Sequence, residues 1–220
     1  MIGSFRHIVA RRRILRDRFD VARSFKQIEE TCIPSYLHHN PAAAGIAWLR
    51  LFTAARLYRR YAAEGPILDF GAATGELGHL LVPKPPYEFI ESDHDMAAAL
   101  LAMQPGAARR RLEELPPSRY AAVFALDSLE HNDDVAGILQ KLTDSVRPGG
   151  ILIISGPTEN FFYRLGRKLA HFDGSYHKTT IYHIEAIARD RLMLLHRRIV
   201  PGIVPLFAIS VWRVGERGAH

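Results

Sequence analysis

One cysteine, Cys32, stands in a chain of 220 residues. A lone thiol excludes an intramolecular disulfide and a cysteine-cluster metal site, and a reducing cytoplasm is the expected setting. Long apolar runs are equally scarce. Stretches such as "GIAWL" (45–49) and "GILIISGP" (150–157) fall short of the roughly 20 residues a bilayer span needs, so no transmembrane segment is expected. The first residues, "MIGSFRHIVARRRILRDRFD", break their apolar positions with charge and lack the continuous core of a secretory signal. Internal repeats, low-complexity tracts and linkers are also missing.

What is present is a chain that is 48% hydrophobic, enough for one sizeable core and one domain. Its formal charge is +6. The cations cluster: Arg11, Arg12, Arg13, Arg16 and Arg18 form one group, Arg109, Arg110 and Arg111 another. Such groups are either solvated faces of helices and loops or a surface for phosphate or anionic lipid.

Phe5, Ile8, Val9, Leu15, Phe19, Phe25 and Ile28 recur at helical spacing through residues 5–30. A second helix is predicted over 42–63, ending at Gly65-Pro66. Residues 1–64 therefore read as a helical cap packed on the same domain, and 65–220 as the domain itself. From Pro66 the pattern alternates. "PILDF", "YEFIES", "YAAVFAL" and "GGILIIS" read as strands; "GELGHLLV", "DMAAALLAM" and "VAGILQKLTDSV" read as helices, and "RPGG" as a turn. Helices are also predicted over 158–172 and 180–190. "LMLLHRRIV" and "LFAISVWRV" are strands joined only by "PGIVP", too short for a parallel crossover, so they pair antiparallel. The fold class is α/β: a Rossmann-like, doubly wound seven-stranded sheet, mostly parallel, with an antiparallel last strand.

The first strand runs into "ILDFGAATGELG" (67–78), small residues directly behind an aspartate. Glycine there permits positive φ and a close approach of ligand to backbone. A P-loop is excluded because Gly75 is followed by Glu76 and Leu77 rather than Lys and Ser or Thr. A nicotinamide dinucleotide fits poorly: Ala73 stands at a position of the glycine motif, and Asp69 would face a pyrophosphate. The segment resembles the first motif of class I S-adenosylmethionine-dependent methyltransferases, whose ligand carries a sulfonium and no phosphate. "FIESDHDM", "YAAVFALDSLEH" and "SVRPGGILIIS" continue the likeness, closest to the branch of the ubiquinone-biosynthesis methyltransferases, over residues 66–157. The resemblance implies S-adenosyl-L-methionine as cofactor, held by Asp69, Gly71, Ala73, Gly75, Asp93, His94, Glu113, Leu126 and Asp127. Asp93 is the expected partner of the ribose hydroxyls. Arg111 departs from the family, standing where an aspartate commonly meets the adenine, with Glu113 or the Leu112 backbone as substitutes.

Methyl transfer to a hydroxyl needs alignment and a proton acceptor, and histidine titrates in the useful range. His131, in "SLEH", is the candidate base by resemblance. Tyr36, His38 and His39 from the cap and His177 from the region after the fifth strand are candidate acceptor contacts. No metal is expected. The chain has no Asn/Asp-Pro-Pro-aromatic segment after the fourth strand and no Pro-Cys context at Cys32, which disfavours adenine-amino, cytosine-amino and cytosine-C5 methylation. No tyrosine is followed by lysine four residues on, which disfavours a short-chain dehydrogenase. O-methylation of a small-molecule, glycan or lipid-linked acceptor leads. An RNA methyltransferase with a basic N-terminal surface and a non-catalytic cofactor-binding protein stay open. The first helix either lies in a membrane interface, giving peripheral membrane contact, or packs on the domain with its arginines outward, the expected arrangement.

Overall fold

The computed structural model describes residues 2–19, 32–159, 179–202 and 204–215. Seven strands form one sheet in the order β3-β2-β1-β4-β5-β7-β6: β1 (Ile67–Phe70), β2 (Tyr87–Ile90), β3 (Ala108–Arg109), β4 (Tyr120–Leu126), β5 (Val146–Pro157), β6 (Met193–Val200) and β7 (Phe207–Arg213). β1 pairs in parallel with β2 and β4, β2 with β3, and β4 with β5. β7 runs antiparallel to both β5 and β6, as the short link requires.

Alternation within each strand divides the core in two. Ile67, Phe124, Ile151, Ile153 and Val211 face one side; Leu68, Val123, Leu152, Ile154 and Trp212 face the other. The first side is covered by α1 (Ile2–Arg18), α2 (Ile33–Leu37) and α3 (Pro41–Tyr61), which bury Leu15, Ile33, Trp48, Leu51 and Ala54 against it. The second is covered by α5 (Val135–Ser145) and α6 (Ile181–Arg189) through Leu139, Leu142 and Ile184. α4 (His94–Met103) follows β2 and joins the first core through Met96 and Leu100.

α3 begins where a cap residue and proline coincide. Asn40 accepts the Ala42 N–H at 2.9 Å, Pro41 opens the helix, and Arg59 and Arg60 sit in the last turn. Its bounds lie within two residues of the predicted helix. Two local expectations fail. "GELGHLLV" forms tight turns instead of a helix, with Gly78 N–H donating to Gly75 O and Leu80 N–H to Leu77 O. Two glycines lower helix propensity there, and Pro83 leaves too few residues for a stable helix. "RPGG" lies inside β5 as an irregularity opposite Tyr120–Ala122, with Gly149 at φ +73°. β3, two residues long, was too short to be anticipated. The predicted helix over 5–30 is seen as α1; its remainder, and most of the predicted 158–172 helix, lie outside the described residues.

Candidate active site

Strand order reverses between β1 and β4, and a cleft of about 1220 Å³ opens beyond their carboxyl ends. The turn after β1 supplies its floor. Gly71 takes φ +71°, and a Cβ there would come within 2.4 Å of the Ser128 Cβ, so only glycine lets the turn lie against the loop after β4. Ala73 also has positive φ, +47°. Gly75, at φ +74°, serves packing: a Cβ would stand 2.7 Å from Leu100 Cγ, and its carbonyl accepts from Gln104 Nε2 at 2.8 Å.

Glu91, the first residue after β2, fixes this turn from the side. Its Oε2 accepts the Ala73 N–H at 2.7 Å and its Oε1 accepts the Asp93 N–H at 2.9 Å, while Gly71 N–H donates to Ile90 O at 2.9 Å. Asp93 is engaged elsewhere. Its Oδ1 accepts the Asp95 and Met96 N–H groups at 2.8 and 3.0 Å, capping α4.

Of the residues the resemblance implied, Gly71, Ala73, Asp93, His94, Glu113 and Asp127 line the cleft, as does His131. His94 opens α4 beside Arg109, whose Nη1 lies 3.4 Å from its Nδ1. Glu113 belongs to a 3-10 turn, Leu112–Glu114. Asp69 is not in the lining. Strand alternation turns it into the core, where Tyr87 Oη donates to its Oδ2 at 2.5 Å and burial pushes its carboxyl up to about 7. Leu126 packs against the first core.

Three of the acceptor candidates are not supported by position. Tyr36 is buried, its ring 5.1 Å from that of Trp48, because α2 packs it inward. His38 and His39 stack on each other at 4.4 Å between α2 and α3, and neither belongs to the cleft lining. His177 lies outside the described residues.

The wall after β4 is held from the cap. Asp127, at φ +52°, accepts from Ser155 Oγ at 3.0 Å and pairs with Arg50 of α3, whose guanidinium carbon lies 4.1 Å from the Phe207 ring centre. Cys32, preceding α2, also lines the cleft. Burial pushes its thiol up to about 11, which favours the neutral form. Glu130 is 1% exposed, and burial, then the neighbouring Asp127, raise its carboxyl well above the carboxylate range. Beyond the glycine turn, Arg11 of α1 grips Glu76 with two bonds, Nε to Oε2 at 2.8 Å and Nη2 to Oε1 at 2.7 Å. Among the described residues, no group of three or more His, Cys, Asp or Glu is arranged for a metal ion.

Glu91, Ser128, Cys32 and Arg50 were missed by sequence reasoning. Glu91 had a signal: it is the first acid past the apolar run of β2, and "DHDM" before an apolar helix is an N-cap pattern that already claims Asp93. Arg50 had none, because it meets Asp127 only in the folded chain.

The open end of a parallel sheet, a glycine turn and a carboxylate at the end of the second strand define a nucleoside-binding α/β protein. A family model described as "Methyltransferase domain" matches residues 36–193, and the chain belongs to that family. It is a class I S-adenosylmethionine-dependent methyltransferase. Among solved structures, the N-methyltransferase NodS from Bradyrhizobium japonicum WM9 in complex with S-adenosyl-l-homocysteine superposes with a TM-score of 0.67 at 14% identity, over 90% of this chain and 100% of that one. The CcbJ methyltransferase from Streptomyces caelestis gives 0.58 at 16%, over 75% and 95%. An S-adenosylmethionine-dependent methyltransferase from Clostridium acetobutylicum gives 0.56 at 14%, over 76% and 90%. At these identities the likeness is one of fold. No curated protein matches the sequence.

Proposed function

We propose that the cleft holds S-adenosylmethionine with Glu91 at the ribose hydroxyls, the Gly71–Ala73 main chain at the amino-acid end and Leu112–Glu113 at the adenine. The residues present fit such a ligand. A Cβ on Gly71 would close the turn onto Ser128, and Ser128 Oγ is buried without a hydrogen-bond partner among the described residues. The walls are apolar at Phe70, Ile90, Leu112 and Ile138 and acidic at Glu91, Asp93, Glu113, Glu114 and Asp127, and three arginines also line the cleft: Arg109, which donates to the Glu91 and Ser92 carbonyls, Arg110, which pairs with Glu88, and Arg111, which pairs with Glu114. The carboxylates suit ribose hydroxyls and a sulfonium cation.

When bound, the cofactor supplies an electrophilic sulfonium methyl. The chain's own residues orient and deprotonate. Asp127, locked by Arg50 and Ser155, fixes the loop that carries His131, and His131 takes the proton from an acceptor hydroxyl. Cys32, from the cap, narrows the approach. The acceptor is a small-molecule, glycan or lipid-linked hydroxyl compound. The observation that carries this reading is Glu91, whose two oxygens join the glycine turn to the end of β2 on the cleft wall.

Incubating lipid, glycan and RNA extracts with radiolabelled S-adenosylmethionine tests it. Label in lipid or glycan hydroxyls, with His131→Ala lowering turnover by about 10²-fold, is the expected result. Label confined to RNA would transfer the assignment to an RNA methyltransferase, for which the outward arginines of the cap are the supporting feature.

A further inference from the structure

α1 carries six arginines and α3 four, against one acid, Asp17. Three of these cations turn inward. Arg11 grips Glu76, Arg50 pairs with Asp127, and Arg12 donates to the carbonyls of Tyr36 and His38 at 3.0 Å each. The others are exposed: Arg6, Arg13, Arg16 and Arg18 on α1, and Arg56, Arg59 and Arg60 on α3. None of the seven makes an ion pair to a carboxylate among the described residues.

Apolar side chains are interleaved with them. Phe5 is 68% exposed, Val9 51% and Leu49 43%. Phe5, Val9, Arg13 and Arg16 follow one another at spacings of four, four and three, so they form a single stripe along α1. The His7 ring meets Trp48 at 6.1 Å and Phe52 at 6.0 Å, edge-on, which sets α1 beside α3 and makes their outer surfaces one face. That face cannot roll inward. The opposite side of α1 is already fixed by Leu15 in the core and Arg11 on Glu76.

We propose that the outward face of α1 and α3 docks on an anionic lipid bilayer. Arginines are attracted to acidic headgroups, and Phe5, Val9 and Leu49 enter the boundary between headgroups and acyl chains. A nucleic acid would satisfy the cations and leave aliphatic side chains against phosphate, so the combination selects lipid. Because α1 and α2 also hold the cofactor turn and one cleft wall, docking sets the cleft beside the bilayer. This rests on the reading of a lipid-linked acceptor and names the surface from which that acceptor is taken.

The test is co-sedimentation of the full chain with vesicles of phosphatidylcholine alone or with about a third phosphatidylglycerol, at low and high salt. Binding to S-adenosylhomocysteine is measured in parallel by calorimetry. The expected result is at least about tenfold stronger partitioning onto the anionic vesicles, weakened by salt. Arg6→Glu with Arg13→Glu abolishes it; Phe5→Ser with Val9→Ser reduces it several-fold and leaves the salt dependence; both variants bind S-adenosylhomocysteine normally. Equal or absent binding to the two vesicles overturns the proposal, as does Phe5→Ser with Val9→Ser having no effect while RNA competes the vesicles away. Loss of S-adenosylhomocysteine binding by the unmodified chain would instead overturn the reading of the cleft.

Discussion

The two ends of the cleft are built by different means. At the cofactor end the contacts are close in sequence: Glu91 reaches Ala73 and Asp93, Gly71 donates to Ile90, and positive φ at Gly71 and Ala73 shapes the turn. At the end proposed for the acceptor the wall depends on α3 docking from the cap, through the pair of Arg50 and Asp127 and the neighbouring Cys32. A strand–turn–strand unit makes most of the first end, backed from the cap by Arg11 on Glu76, and tertiary packing makes the second. The cofactor end should therefore survive changes that loosen the acceptor end.

Arg50→Ala is the largest expected break in that comparison. Both side chains of the pair are about one-tenth exposed, so the substitution strands the Asp127 carboxylate and costs about 3–5 kcal/mol of stability in denaturant unfolding. Adding Asp127→Leu should return most of the loss, because two apolar groups replace an unpaired charge. A loss under about 1 kcal/mol would mean that the wall stands without the pair.

A smaller effect is expected of Asp93→Ala. Its Oδ1 caps α4 with two accepted N–H groups, and losing a cap costs about 1 kcal/mol in the same measurement.

Smallest near neutral pH is the effect of protonating His79. Burial, followed by repulsion from Arg11 and Lys84, lowers its pKa to about 4 in the folded chain, against 6.5 unfolded. Between those values the unfolded chain binds a proton that the folded chain refuses. The contribution is complete above pH 6.5 and is lost as pH falls from 6.5 toward 4. Asp69 works the other way: its burial favours the protonated acid, and its cost grows as pH rises toward about 7. His79→Gln should flatten the acid limb of the stability profile measured by thermal unfolding, and an unchanged limb would remove His79 from the account.

The same division explains what was legible in the sequence. Apolar runs announced β1, β2, β4, β5, β6 and β7, all but the half-exposed edge strand β6 largely buried, and the "PGIVP" link announced the antiparallel pair. The glycine turn was legible because its backbone requirement is local. The helix expected at "GELGHLLV" was not formed, because periodicity there spans too few residues to outweigh two glycines and a proline. Asp69 and Tyr36 looked like site residues by type, and strand alternation and helix packing turned both into the core. The Arg50–Asp127 and Arg11–Glu76 pairs carry no sequence signal, since only the fold brings the cap to the sheet.

Calorimetric titration of Glu91→Ala and Asp93→Ala with S-adenosylhomocysteine tests the central claim, that the carboxylate directly after β2 holds the ribose. Glu91→Ala should lose about 1.5–3 kcal/mol of binding, roughly 10- to 150-fold, the value of hydrogen bonds to a charged group, and Asp93→Ala should stay within about threefold of the unmodified chain. The reverse result, with Asp93→Ala folded and losing affinity while Glu91→Ala keeps it, would contradict the account.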